Sequence, residues 1–198
     1  MLPCAMALKM LKGVTVAELN EAYQKVLWWF FAFPTKEFGL SELAEAVRIS
    51  KTTANIAVAK LVEQGFLKKE VLGKVWRLSC NQQHIYNYSR KISHNLMLVY
   101  ESGIITEVKK AVQNPLAIVL FGSYRKGDDT EQSDIDIAVE ILGDEEMKIV
   151  ELGIVPQFGY RQNVQVNIHI FSRNKIDLNM FANITNGIVL DGFLEVRP

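Results

Sequence analysis

The chain has 198 residues, 49% of them hydrophobic and 22% charged, which suits a globular protein with one large or two small domains, each able to bury a core. Neither apolar stretch, residues 1–11 (interrupted by Lys9) or 26–33, is long enough to cross a bilayer, so a cytoplasmic protein without a membrane partner is expected. The net charge is zero but unevenly spread: 11 Lys+Arg stand against 7 Asp+Glu in residues 1–80, 4 against 2 in 81–115, and 7 against 13 in 116–198, a front permissive for DNA and a back that suits a cation.

The two cysteines, Cys4 and Cys80, are far apart and form no Cys-x-x-Cys, which speaks against a disulfide scaffold and for free thiols in a reducing compartment. The three histidines, His84, His94 and His169, show no metal-ligand spacing.

From Val14 onward, Val16, Leu19, Ala22, Val26, Leu27, Phe30 and Phe31 recur at helical spacing, and Pro34 ends the pattern. Residues 39–47 predict a short helix with Ser41 as its N-cap. After a turn at 48–50, Ser50 caps a second helix over 51–64, which Gly65 closes. Residues 66–78 hold two β-prone runs around Leu72-Gly73.

Helix, helix, turn, helix and hairpin over roughly residues 14–80 resemble the winged helix-turn-helix of prokaryotic transcription regulators. The resemblance rests on Leu40-Ser-Glu-Leu-Ala44, the Ser50-Lys-Thr-Thr53 helix entry, Leu61, and Gly65-Phe66-Leu67. It implies that the second helix of the motif reads DNA through Lys51, Thr52, Asn55 and Lys60, and that Lys68, Lys69, Lys74 and Arg77 on the wing reach phosphates. Ile56 stands where such regulators often carry a polar or basic residue, and suits either a thymine methyl or a protein interface. Winged helices also act as dimerisation modules, so a homodimer fits the same features.

Residues 82–113 carry apolar positions at broadly helical spacing, with Gly103 a weak point. Pro115 then releases the chain into a strand, so a helical connector over 81–115 is predicted. The apolar run 117–121 breaks at Gly122-Ser123, and a second apolar run, 135–139, carries Asp134 and Asp136 at its start. Side chains alternate along a strand, so these carboxylates share a face, about 6–7 Å apart. Hard oxygen ligands suit magnesium, and the free N–H groups of a Gly-Ser turn suit phosphate oxygens. A bland alternative is a β-hairpin loop beside a solvated acidic strand. Beyond it, 145–152 predicts a helix, 163–171 a half-buried strand, 172–186 a helix, and 187–196 an extended segment.

Gly-Ser, ten residues, Asp-x-Asp resembles the minimal signature of the DNA polymerase β-like nucleotidyltransferase superfamily. Lys126-Gly127 stands where the family has Arg-Gly, Ser133 precedes the first Asp, and Arg125 replaces a small residue. The resemblance implies an α/β (α+β) nucleotidyltransferase-like domain with a mixed sheet over 116–198, preceded by the mainly α winged-helix domain over 1–80. It further implies that Asp134 and Asp136 hold Mg2+ and that Gly122, Ser123, Lys126 and Arg125 bind the phosphates of an NTP.

The family places a third carboxylate on a later strand, often as the base for the attacking hydroxyl. Here the matching strand shows Gln165, Asn167 and His169 on its polar face and no acid, while Glu140 and Asp191 fall outside the motif. His169 could accept a proton; the amides cannot. Besides a blander option, in which both modules are protein interaction surfaces, two readings stay open. One is an enzyme moving a nucleoside monophosphate from an NTP to an unknown acceptor. The other is a transcription regulator whose nucleotide-binding domain turns over little or not at all.

Overall fold

The computed structural model describes residues 21–73 and 75–196. The predicted helix start at 14–20, the apolar residues 1–11 with Cys4, and Lys74 of the predicted wing lie outside them.

Helices α1 (Glu21–Ala32), α2 (Leu40–Ala46) and α3 (Lys51–Glu63) precede a hairpin of β1 (Leu67–Leu72) and β2 (Val75–Cys80). α1 buries Tyr23, Val26, Leu27, Phe30 and Phe31 against Leu43, Val58, Leu61, Phe66 and Leu78, forming one apolar core. The N-cap of α2 is Gly39, not the predicted Ser41. Its extended backbone (φ −76°, ψ 153°) precedes the helix, and its N–H donates to Glu42 Oε2 at 3.2 Å, so Glu42 supplies the capping contact. At α3 the expected cap is present: Ser50 Oγ accepts the Thr53 N–H at 3.0 Å. Ser50→Ala is expected to cost about 1 kcal/mol, read as a lower urea midpoint at unchanged slope.

A 3-10 turn (Ile85–Tyr88), α4 (Arg90–Glu101) and α5 (Ile104–Ala111) follow, and Gly103 at φ +79° makes the break between the two helices. α4 touches both halves. His94 stacks on Trp28 at 4.8 Å, and Arg90 Nη1 donates to the Tyr23 hydroxyl at 3.2 Å. Val99 sits in the core beneath the larger sheet. Burial pushes the His94 imidazole down to about 4, so it packs as a neutral ring.

The larger sheet comprises β3 (Ala117–Phe121), β4 (Ile135–Ile141), β5 (Lys148–Phe158), β6 (Arg161–Ser172) and β7 (Ile188–Gly192), in the order β5-β6-β4-β3-β7. The β4–β6 pair is parallel and the others antiparallel, so the sheet is mixed as expected. One face, with Ile118, Leu120, Ile137, Val139, Val166 and Ile168, packs with Val99 and Val108 of α4 and α5. The other, with Val119, Phe121, Ala138 and Phe171, meets Ile184 of α7 (Leu178–Thr185) and Leu194.

Two predicted helices are corrected. Residues 145–152 do not form a helix; from Lys148 they are strand β5, hairpin-paired to β6. The Glu145-Glu146 start reads as helical, but Ile149, Val150, Ile154 and Val155 favour a pleated surface and the pairing with β6 decides. Residues 172–186 are helical only from Leu178. Asp177 caps there, accepting the Asn179 and Met180 N–H groups at 3.0 and 3.1 Å, after a turn over 173–176.

Candidate functional site

β3 is buried along its whole length and delivers the chain to Gly122, at φ +70°, which turns it into the short helix α6 (Gly122–Lys126). β4 lies antiparallel beside it, with Phe121 opposite Asp136. A Cβ on residue 122 would stand 2.9 Å from Asp136 Oδ2. Both the left-handed backbone and this close approach call for glycine. Gly122→Ala is expected to cost about 1–2 kcal/mol of backbone strain and to displace the Asp136 carboxylate, read by denaturant unfolding.

On α6, Tyr124 turns into the core, where its hydroxyl accepts a hydrogen bond from Arg161. Burial pushes that hydroxyl far above the ordinary tyrosine range. Ser123 and Arg125 are half-buried and Lys126 is exposed. Among the described residues none pairs with the side chain of any of the three.

Asp134 is exposed, and the Asp136 side chain retains 31% of its exposure. β6 brings three groups to this pair. Asn167 is the register partner of Asp136, and its Nδ2 donates to Asp134 Oδ2 at 3.4 Å. Gln165 Nε2 donates to Asn167 Oδ1 at 3.0 Å. His169, buried and edge-on to Phe121 at 4.9 Å, sets Nε2 3.2 Å from Asp136 Oδ1. His169 Nδ1 is buried without a partner among the described residues. The contact between His169 Nε2 and Asp136 Oδ1 restricts how the Asp136 carboxylate can turn. His169 Nε2, the ring nitrogen nearest the carboxylates, lies within hydrogen-bonding distance of Asp136, a contact that competes with the proton-acceptor role the sequence leaves open for it.

The loop that leads to Asp134 is fastened from several sides. Lys91 Nζ and Asp129 Oδ2 form an ion pair at 3.2 Å with side chains only 1% and 3% exposed, and Asn95 Nδ2 donates to Asp129 Oδ1 at 2.8 Å. Burial pushes the Asp129 carboxyl up and the Lys91 ammonium down. Arg161 Nη2 donates to the carbonyls of Glu131 and Ser133 at 3.0 and 2.7 Å. Ser133 Oγ accepts the Thr130 N–H at 2.9 Å, so the serine before Asp134 closes the turn. Thr35, from the helical N-terminal part, donates to the Glu131 carboxylate.

Residues 101–181 match the family model of the nucleotidyltransferase domain. That match spans Gly122, Ser123, Asp134, Asp136 and the strand bearing Asn167, and it supports the nucleotidyltransferase superfamily for this part of the chain. No curated protein matches the chain. Within residues 101–181, one acid that sequence reasoning passed over, Glu151 on β5, is the register partner of Asn167 and so lies on the same sheet face as Asp136. The described residues hold no group of three or more His, Cys, Asp or Glu side chains gathered for a metal, and no helix long and apolar enough to cross a membrane.

Outside residues 101–181, Lys51, Thr52, Asn55, Ile56 and Lys60 are exposed on α3, with Lys60 Nζ 5.4 Å from the Tyr23 ring centroid. Two of the cations assigned to the wing are engaged within the N-terminal part. Lys69 Nζ lies 3.3 Å from the Trp76 ring centroid, and Arg77 pairs with Glu37 at 3.1 Å. Their short-range partners compete with phosphate, a cost the sequence pattern does not reveal.

Proposed function

We propose that the chain transfers a nucleoside monophosphate from an NTP to an acceptor group, with Asp134 and Asp136 as the metal-binding carboxylates. The observation that carries this reading is the seating of Gly122 against Asp136, with Asp134 held nearby by Asn167, inside a region that matches the nucleotidyltransferase domain.

The donor set fits magnesium: two hard carboxylates stand beside a backbone kept free of any Cβ, and the His169 contact leaves the second Asp136 oxygen available. When bound, magnesium neutralises triphosphate charge and stabilises the departing pyrophosphate. Ser123, Arg125 and Lys126, which have no partners of their own among the described residues, hold phosphate oxygens. His169 fixes the orientation of Asp136, and Arg161 and Asn95 hold the loop before Asp134.

The decisive assay incubates the protein with each α-phosphate-labelled NTP, magnesium and a cell extract as acceptor pool. Label should enter an acceptor from at least one NTP, and Asp134→Ala should abolish it. Absence of transfer, or transfer indifferent to Asp134→Ala, overturns the reading.

A regulatory reading is favoured by a separate contact, the Thr35–Glu131 hydrogen bond that ties the helical part to the loop before Asp134. In it, residues 1–80 form a winged-helix DNA-binding unit, 81–115 a connector, and 116–198 the nucleotide-binding unit, which alone or as a homodimer alters DNA affinity when loaded. A reducing cytoplasm suits the free, buried thiol of Cys80. DNA affinity at low salt, with and without magnesium and NTP, decides it: no binding at all removes the regulator, and unchanged affinity removes the coupling.

A further inference from the structure

Transfer to a hydroxyl forms a bond from the acceptor oxygen to the α-phosphorus and breaks the bond from that phosphorus to the bridging oxygen. Pyrophosphate leaves with the bonding pair, and the hydroxyl proton must go to a base. The carboxylate face of the sheet offers few candidates. Asp134 and Asp136 would hold the metal in the reading above, and His169 Nε2 lies 3.2 Å from Asp136 Oδ1. Gln165 and Asn167 are amides and accept no proton at neutral pH. Glu140 is buried and paired with Arg173 at 2.7 Å, while Asp191, the register partner of Ile118, lies on the opposite face and pairs with Lys109 at 2.9 Å.

Glu151 differs from each of these. It is exposed, and among the described residues no hydrogen bond or ion pair engages its carboxylate; the neighbouring Lys148 pairs with Glu145 instead. The sheet register sets Phe121, Asp136, Asn167 and Glu151 in one row across β3, β4, β6 and β5. Opposed residues on paired strands share a face, with Cβ atoms about 4.5–5.5 Å apart for Asn167 and Glu151. Two strand spacings put the Glu151 backbone about 10 Å from that of Asp136, with Asn167 between them in the row.

A β-bulge falls immediately after Glu151: the register shifts between Glu151 and Gly153, and Gly153 sits at φ +143°. Leu152, the extra residue, packs into the core on the opposite face. The bulge thus bends the strand beside the site without turning Glu151 away from it.

We propose that Glu151 is the catalytic base that takes the proton of the attacking hydroxyl, supplied from the edge strand in place of an acid on β6. This rests on the transferase reading above.

The test compares full-length wild type, Glu151→Gln, Glu151→Ala and Asp134→Ala in label transfer at saturating NTP, with calorimetric titration of magnesium–NTP into each. Glu151→Gln should lose about 100-fold or more in transfer rate. Its magnesium–NTP affinity should stay within about twofold, since the base acts on the acceptor and not on the nucleotide. Added formate should restore transfer to Glu151→Ala, a recovery that a merely structural role would not show. Near-wild-type transfer by Glu151→Gln, alongside inactive Asp134→Ala, overturns the role of Glu151 and leaves the transferase reading standing. An inactive variant that has also lost nucleotide binding and gains nothing from formate overturns the base role as well. Wild type that transfers no label removes the transferase reading and this role together.

Discussion

Replacing Lys91 by Met is expected to destabilise the protein by about 3–5 kcal/mol, the largest loss of any single change considered. The Lys91 ammonium is 3.2 Å from Asp129 Oδ2, and the two side chains are 1% and 3% exposed. It also donates to the Asp129 carbonyl. Without it, the carboxylate stays buried with only the Asn95 amide, at 2.8 Å, as a side-chain donor. The pair is costly to break but only weakly stabilising as a pair, because burial drives both groups toward neutrality, Asp129 upward and Lys91 downward.

A double-mutant cycle separates the two effects. Lys91→Met with Asp129→Asn should recover most of what Lys91→Met alone loses, because no charge is then left buried. The pH dependence has a definite sign. Removing Lys91 raises the folded-state pKa of Asp129 further above its unfolded value, and a raised group contributes stability that is present at low pH and lost as pH rises through the folded pKa. The deficit of Lys91→Met should therefore be small in acid and grow toward neutrality. Urea unfolding of the four proteins at acid and neutral pH measures this. A loss below about 1 kcal/mol at neutral pH would contradict the role given to the pair.

The second large effect is on chemistry. Asp134→Ala and Asp136→Ala should each lower label transfer by about 10³-fold or more, equivalent to about 4 kcal/mol of transition-state stabilisation. Asp136→Asn is the sharper variant. It keeps the size of the side chain and an acceptor for His169 Nε2, now at 3.2 Å, while removing the charge. A comparable loss in Asp136→Asn assigns the effect to charge rather than to a rearranged β4. Wild-type transfer in either alanine variant would mean that the carboxylates do not hold the reacting centre.

Local chemistry accounts for what the sequence made legible. Gly122 falls between a buried apolar run and a helix start, and Asp134 and Asp136 stand at the head of the next apolar run, so the turn and the side of β4 that Asp136 occupies are legible locally. Ser50 and Gly103 act within a few residues of themselves, and both behave as their types suggest. What escaped depends on partners distant in sequence. β5 is a strand because β6 pairs with it, against the helical look of its first residues. Glu151 meets Asn167 only through that pairing and the bulge beside it, so no spacing rule could have shown it. Lys91 and Asp129 lie in different elements and look like ordinary surface charges in the sequence. The Arg77–Glu37 pair is hidden from a linear pattern for the same reason.

The most direct test of the central claim, that Gly122, Asp134 and Asp136 form a site for a magnesium–nucleotide complex, is calorimetry. Each of the common NTPs is titrated, with and without magnesium, into wild type and Asp136→Asn. Saturable binding of at least one NTP that requires magnesium, and that weakens about tenfold or more in Asp136→Asn, is the expected result. Binding that is independent of magnesium, binding unchanged in Asp136→Asn, or no binding by wild type would contradict it.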